Sequence, residues 1–251
     1  MENKLLHRVK KGSGGRQVVC FPYLGGHSGS FDELAATLPD DVEVCVFNPP
    51  GHGLSRDLPF EHALPLLGAY AEELAGAIKP GCVWFGHSLG GIAAYYMACK
   101  LVGEKRIEAG SFHLALSACN APDELAEQSH GELPDDLLID RLVSYDGIPA
   151  ELAREKDLLA YFLPTVRADF KLLRSFVELE SFKLPVSVSY FWGTRDRTVP
   201  LGSVLKWSAY LEQVRLFAIP QGSHMFIADP DGARIVAERL EERLPTPSVV
   251  G

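Results

Sequence analysis

An α/β fold, with a mostly parallel central sheet and helices on both faces, is predicted by three observations. Short apolar runs recur between helix-length segments; a glycine-flanked serine sits between one run and a helical pattern; an aspartate and a histidine each follow a later run. Val18–Phe21 ends at Pro22, and Val42–Phe47 ends at Asn48-Pro49-Pro50-Gly51. Cys82–Phe85, Phe112–Ser117, Val186–Phe191 and Val214–Ile219 complete the series. Runs this apolar suit strands buried on both faces, as in a parallel sheet. The expected covering helices are Ser30–Leu38, Leu64–Ile78, Gly90–Leu101, Leu201–Leu211 and Pro230–Leu244, where apolar residues recur at three and four positions.

The rhythm breaks between Asn120 and Lys183, where charges are frequent and no strand pattern stands out. Leu133-Pro134-Asp135-Asp136-Leu137-Leu138 places a proline and acids at a helix start. Leu158–Leu163, followed by Val166, Phe170, Leu173 and Phe176, gives helical faces too apolar for a free linker. Residues 120–183 are thus expected to form a helical insertion within a single domain spanning 1–251, lying as a lid over the serine turn. The alternative is a helical decoration packed away from it.

At 251 residues, 47% of them hydrophobic, the chain is long enough for one substantial core. Its formal charge is −9, and the 24 basic residues are scattered rather than clustered, which argues against a nucleic-acid partner. The N-terminus lacks an apolar secretory stretch and no segment reaches about 18 continuous apolar residues, so a cytoplasmic protein without a membrane partner is expected. Cys20, Cys45, Cys82, Cys99 and Cys119 are an odd set without a C-x-x-C pair and read as buried thiols. The histidines show no zinc-type spacing, so neither a metal nor another cofactor is expected. A monomer is expected because no long element advertises an obligate interface.

Gly86-His87-Ser88-Leu89-Gly90 follows the Cys82–Phe85 run and precedes a helical pattern, the context a nucleophile elbow needs. Small residues on either side let the chain turn sharply, exposing the Ser88 hydroxyl and directing the Leu89 amide inward as an oxyanion-hole donor. The other reading is a glycine-rich loop whose serine caps the next helix. Serine needs a base and a group to orient that base. Asp196 follows the Val186–Phe191 run and His224 follows Val214–Ile219, so both are expected on the same carboxyl edge as Ser88. Asp169 and Asp123 are weaker rivals for the acid. The chain order Ser88, Asp196, His224 is that of α/β-hydrolases. The second oxyanion donor is assigned to Leu24 in Pro22-Tyr23-Leu24-Gly25-Gly26, with Tyr23 as its close competitor. His87 is expected to pack and hydrogen-bond beside the elbow, and His52 to belong to a rigid loop.

In these residues the chain resembles a type II thioesterase of the α/β-hydrolase superfamily, the stand-alone editing enzymes of non-ribosomal peptide synthetases and polyketide synthases. Phe21-Pro22-Tyr23-Leu24-Gly25-Gly26 stands where that family has a Phe-Pro-His-Ala-Gly-Gly turn, and Phe85-Gly86-His87-Ser88-Leu89-Gly90-Gly91 is its nucleophile motif. Leu163-Pro164-Thr165-Val166-Arg167-Ala168-Asp169-Phe170 matches its proline, arginine-alanine-aspartate, phenylalanine pattern; Gly193 with Asp196 and Gly222 with His224 complete the correspondence. The resemblance implies hydrolysis of acyl or peptidyl thioesters on the 4'-phosphopantetheine arm of a carrier protein. Arg167 and Asp169 are expected to organise the lid rather than react. Tyr23 in place of histidine, Leu24 in place of alanine, and the Pro49–Ser55 loop depart from the family pattern and bear on acyl preference. Release of a medium-chain acyl group, hydrolysis of a small oxygen ester, and an inactive carrier-binding module are the competing functions.

Overall fold

The structure, a computed structural model, describes residues 4–127, 130–148 and 151–246. Its strands are β1 (Leu6–Lys10), β2 (Arg16–Phe21), β3 (Val42–Phe47), β4 (Cys82–His87), β5 (Phe112–Ser117), β6 (Leu184–Gly193) and β7 (Leu211–Ile219). They form one seven-stranded sheet in the order β1-β3-β2-β4-β5-β6-β7. Every pairing from β3 to β7 is parallel, and only β1 runs antiparallel, against β3. Strands β2, β3 and β4 are buried along their whole length, which explains their unbroken apolar runs.

Strand alternation sends neighbouring side chains to opposite faces. Val19, Phe21, Phe47 and Trp84 enter the larger core under α2 (Ala63–Ala75) and α3 (Leu89–Gly103). Val18, Cys20, Val46 and Phe85 face α1 (Asp32–Thr37) and α7 (Pro230–Glu241), where Leu34, Val236 and Leu240 meet them. The entry to α7 is capped by Asp229, whose carboxylate accepts from the Asp231 and Gly232 amides, with Pro230 in the first turn. Helix α3 is buried on nearly all sides, so its sequence is apolar almost throughout rather than amphipathic.

Between β5 and β6 the described residues contain no strand: α4 (Asp135–Ser144), α5 (Lys156–Ser175) and short 3₁₀ turns fill the interval. Leu138, Ile139 and Leu142 of α4 pack with Leu159, Leu163, Val166 and Phe170 of α5 in a separate small core. The far end of α5 leaves that core, and Leu172, Leu173 and the following Phe176 join the main one. Ala121 and Leu125 at its start also belong to the main core, so the insertion is anchored at both ends.

Two departures from expectation have a reason in the packing. The helix predicted over Leu201–Leu211 is α6 (Leu201–Lys206) followed by a 3₁₀ turn at Trp207–Ala209, and Leu211 already belongs to β7. Trp207 ends the helix because its indole is buried in the core and donates to the Cys119 carbonyl at 2.9 Å. Strand β1 was not anticipated, because only Leu6 of its Leu-His-Arg-Val-Lys sequence is buried; it is an edge strand held by register with β3. The five cysteines are all buried free thiols.

Trp84 is fully buried, stacked on Phe112 with ring centroids 4.3 Å apart and tilted against Phe21. Trp84→Ala is expected to lower unfolding free energy by ~3–5 kcal/mol. Urea titration should show a lower midpoint with an unchanged slope; a shift near zero would contradict this packing.

Candidate active site

The site begins with a steric constraint at the end of β4. Ser88 has φ 54° and ψ −121°, a left-handed conformation that a non-glycine residue adopts at a cost of order 1–3 kcal/mol. The glycines around it are obligatory for space. A Cβ on Gly86 would lie 2.2 Å from the Gly90 carbonyl oxygen, one on Gly90 would lie 1.9 Å from the Phe21 carbonyl oxygen, and one on Gly91 would lie 2.6 Å from Cys119 Sγ. The first turn of α3 thus crosses the ends of β2 and β5 at contact distance. The Ser88 amide donates to the Ser117 carbonyl at 2.8 Å, and its own carbonyl accepts from Gly91 at 2.9 Å, starting the helix at once. Leu89 is the first residue of α3, where N–H groups lack intrahelical acceptors.

His224 stands in the turn after β7 and Asp196 in the turn after β6. Ser88 Oγ is 3.1 Å from His224 Nε2, and His224 Nδ1 is 2.9 Å from Asp196 Oδ2. A carboxylate only accepts, so Nδ1 carries a proton and Nε2 is free to receive one from the serine. The other Asp196 oxygen accepts from the Thr198 and Val199 amides at 2.8 and 3.0 Å, which fixes the carboxylate plane. The two turns are zipped together: the Arg195 amide donates to the Gly222 carbonyl at 2.8 Å, and a Cβ on Gly193 would lie 2.5 Å from that same oxygen. Here the need for Gly193 is the close approach of two backbones.

His87 is wholly buried and holds the histidine turn from below. Its Nε2 is 3.0 Å from the His224 carbonyl oxygen, an acceptor, so Nε2 carries the proton and Nδ1 accepts from the Ser117 hydroxyl at 2.9 Å. Burial, then the neighbouring His224, push its pKa well below the ordinary imidazole value. Cys82, upstream on the same strand, is raised to about 11 by burial and is no competing nucleophile.

Leu24 lies in the turn after β2, closed by the Gly26 amide on the Tyr23 carbonyl at 2.8 Å and turned at Gly25 with φ 74°. The contact of Gly90 with the end of β2 brings this turn to the head of α3 beside Leu89. Asp169 does not face His224: its Oδ2 lies 2.9 Å from His52 Nε2 and 2.7 Å from the Gly25 amide. Asp123 pairs with Lys206. Arg167 donates to the Gly131 carbonyl and pairs with Asp135, tying α5 to the start of α4. The His52–Asp169 pair was not foreseen, since its members are 117 residues apart and neither belongs to a motif that names the other.

Beside Ser88, a recess of about 260 Å³ counting its open mouth is lined by Ile92, Cys119, Leu125, Leu173 and Val199. Leu125 and Leu173 come from the insertion. At the end of α4, the Tyr145 ring lies 6.2 Å from the His224 ring, so the insertion reaches the site. A recess that ends at a hydroxyl with an imidazole beside it, lined by Asn120 and Thr198 as well as by apolar side chains, is suited to holding an acyl group for attack.

Because His87 is uncharged when folded and takes up a proton when unfolded, its contribution to stability falls as pH drops below about 6.5. His113, which burial and then Arg243 lower to about 4, adds to the same slope. His87→Gln is expected to flatten the decline between about pH 7.5 and 5 in urea unfolding. Parallel curves for the two proteins would contradict the assignment.

The thioesterase domain family model matches residues 16–244, from the start of β2 to beyond α7. Gramicidin S biosynthesis protein GrsT of Aneurinibacillus migulanus is 26% identical over 215 residues, covering 84% of this chain and 82% of that protein. The probable anguibactin biosynthesis thioesterase AngT of Vibrio anguillarum is 28% identical over 222 residues, covering 84% and 85%. The solved structure of the RedJ thioesterase from the prodiginine biosynthetic pathway in Streptomyces coelicolor superposes with a TM-score of 0.76 at 27% identity, covering 92% of this chain and 91% of that one. With a match running through six of the seven strands and an elbow, acid turn and histidine turn on one sheet edge, the chain belongs to the thioesterase domain family, serine-dependent hydrolases of the α/β-hydrolase fold.

Proposed function

We propose that this protein hydrolyses acyl or peptidyl thioesters carried on the 4'-phosphopantetheine arm of carrier proteins, clearing misprimed or stalled groups from a biosynthetic synthase. The observation that carries the reading is the hydrogen-bonded series from Ser88 through His224 to Asp196, with the serine held at positive φ at the head of α3. The pathways for which GrsT, AngT and RedJ are named support a synthase context.

In this reading Ser88 is the nucleophile. His224 Nε2 takes the hydroxyl proton as Oγ attacks the thioester carbonyl, and returns it to the departing pantetheine sulfur. Asp196 holds the Nδ1 tautomer and stabilises the imidazolium. The Leu24 and Leu89 amides receive the oxyanion, each donor contributing roughly 3 kcal/mol to the transition state. The same histidine then deprotonates water against the acyl-enzyme, and proton transfer back to Oγ releases the acid. Residues 120–183 act as the lid, with Arg167 bracing α5 on α4 and the recess sheltering the acyl chain. The arm arrives with the substrate, and no metal or other cofactor takes part. Among the described residues no helix is long and apolar enough to cross a membrane. The enzyme is taken to work as a cytoplasmic monomer, with carrier domains as its partners and no nucleic acid.

Ser88→Ala should lower thioester turnover roughly 10⁴-fold or more and abolish stoichiometric labelling by a serine-reactive phosphonate. Rates on acetyl-carrier, long-chain acyl-carrier, acyl-CoA and small oxygen esters separate editing from chain release and from general esterase action. Preference for the carrier-bound acyl groups supports the proposal. Rapid ester turnover without thioester hydrolysis overturns it, and equal labelling of wild type and Ser88→Ala removes Ser88 from the nucleophile role.

A further inference from the structure

The insertion sends one charged side chain across the molecule to the turn that carries Leu24. Asp169 is 2% exposed and His52 3% exposed, so this is a contact made away from water. His52 Nδ1 lies 2.9 Å from the Pro50 carbonyl oxygen, which can only accept, and Nε2 lies 2.9 Å from the Asp169 carboxylate, which also only accepts. Both ring nitrogens therefore carry protons, and the pair is an imidazolium against a carboxylate. The same Oδ2 takes the Gly25 amide at 2.7 Å.

That third contact bears on the oxyanion side of the site. The Tyr23–Gly26 turn contains two peptide planes that could flip. The plane bearing the Leu24 N–H is restrained through its Tyr23 carbonyl, which accepts from Gly26 at 2.8 Å; the next plane is restrained through the Gly25 N–H on Asp169. Asp169 is itself a fixed point. One turn further along α5, Leu172 and Leu173 are buried in the main core, and the Ser175 hydroxyl oxygen accepts from the Ala63 amide at 2.7 Å. Before Asp169, the Thr165 hydroxyl donates to the Gly51 carbonyl at 3.2 Å in the same loop as His52.

We propose that Asp169 is a positioning residue for the thioesterase reaction: paired with His52, it latches the Tyr23–Gly26 turn so that the Leu24 N–H stays aimed at the developing oxyanion. This rests on the Ser88 reading given above. It also makes the far part of α5, around Asp169 and Leu172, a strut belonging to the catalytic framework. A charged His52 satisfies both facing acceptors at once. Burial disfavours that charge, but the adjoining Asp169 carboxylate and the Pro50 and Pro49 carbonyls outweigh it and raise the pKa above the ordinary imidazole value. The other titratable groups at this contact are Tyr23 of the turn and Tyr70 of α2; burial, then Asp169, keeps Tyr70 protonated. With the folded value raised, the contribution of the pair is complete below about pH 6.5 and is lost as pH rises through the raised value.

The test uses the full chain with Asp169→Ala and Asp169→Asn, read by hydrolysis of an acyl-CoA thioester or a p-nitrophenyl ester and by amide hydrogen exchange at Gly25. Asp169→Ala is expected to lower kcat roughly 10²-fold, the scale of losing an oxyanion donor, with KM little changed. Its Gly25 amide should exchange faster. Asparagine with its amide oxygen in the Oδ2 position still accepts from the Gly25 amide and from His52 Nε2–H, so it should restore part of the loss in kcat and slow Gly25 exchange relative to Ala. The latch is overturned if Asp169→Ala destabilises the fold while kcat and Gly25 exchange stay at wild-type values, or if Asn behaves as Ala in both readouts. Wild type without any Ser88-dependent hydrolysis overturns the catalytic reading instead, a failure distinguishable because Gly25 exchange reports the latch without turnover.

Discussion

The crossing of α3 over the ends of β2 and β5 is the contact on which the site depends. At Gly86, Gly90 and Gly91 there is no room for even one carbon atom beyond the backbone, with the tightest approach at Gly90 against the Phe21 carbonyl. Because the helix begins so close to the sheet, the chain has no length in which to turn gradually, and Ser88 takes up the left-handed conformation. Its hydroxyl then projects from the sheet edge, and the amide of Leu89 is left at the unpaired end of a helix. The same contact brings the Leu24 turn alongside. Strain at one residue is sustained by the burial of almost all of α3.

Around this crossing, polar groups are held from behind rather than left to solvent. Asp196 is fixed by two backbone amides, the histidine turn by His87 and by its backbone bonds to the Asp196 turn, and the Leu24 turn by Asp169. Each support is a buried group with its hydrogen bonds satisfied by a partner of known direction, which confines it to one orientation. Such support from outside the reacting atoms is what keeps a site at fixed geometry without reorganisation during each turnover.

The insertion is divided physically. Its α4 and α5 as far as Phe170 share a small core, while Leu172 and Leu173 of α5, like Ala121 and Leu125 before α4, are part of the main one. Exposed Leu158, Tyr161 and Phe162 lie on the first part of α5, before Pro164, whereas Asp169 and Leu172 lie beyond it in buried surroundings. The first part of α5 has fewer contacts with the main core than the end of the helix does.

Contiguous residues were enough to predict the architecture and to place Ser88, Asp196 and His224 on one sheet edge. The apolar runs announced six strands; those of β2, β3 and β4 are unbroken because both faces are buried, whereas the edge strand β7 carries its apolar run largely exposed. The glycines around Ser88 announced a turn, because backbone sterics are local. The placement of Asp196 and His224 after successive strands put them on one edge, since parallel strands all end there. Tertiary packing decided the rest. Strand β1 exists because β3 offers it an edge, despite its mostly polar side chains; α6 stops at Lys206 because Trp207 is drawn into the core. The junction of His52, Asp169 and Gly25 has no local signature at all. Charges are attracted across distances in space, and distances in space between residues far apart in the chain are set by how β3, α5 and the β2 turn pack, which no stretch of neighbouring residues records.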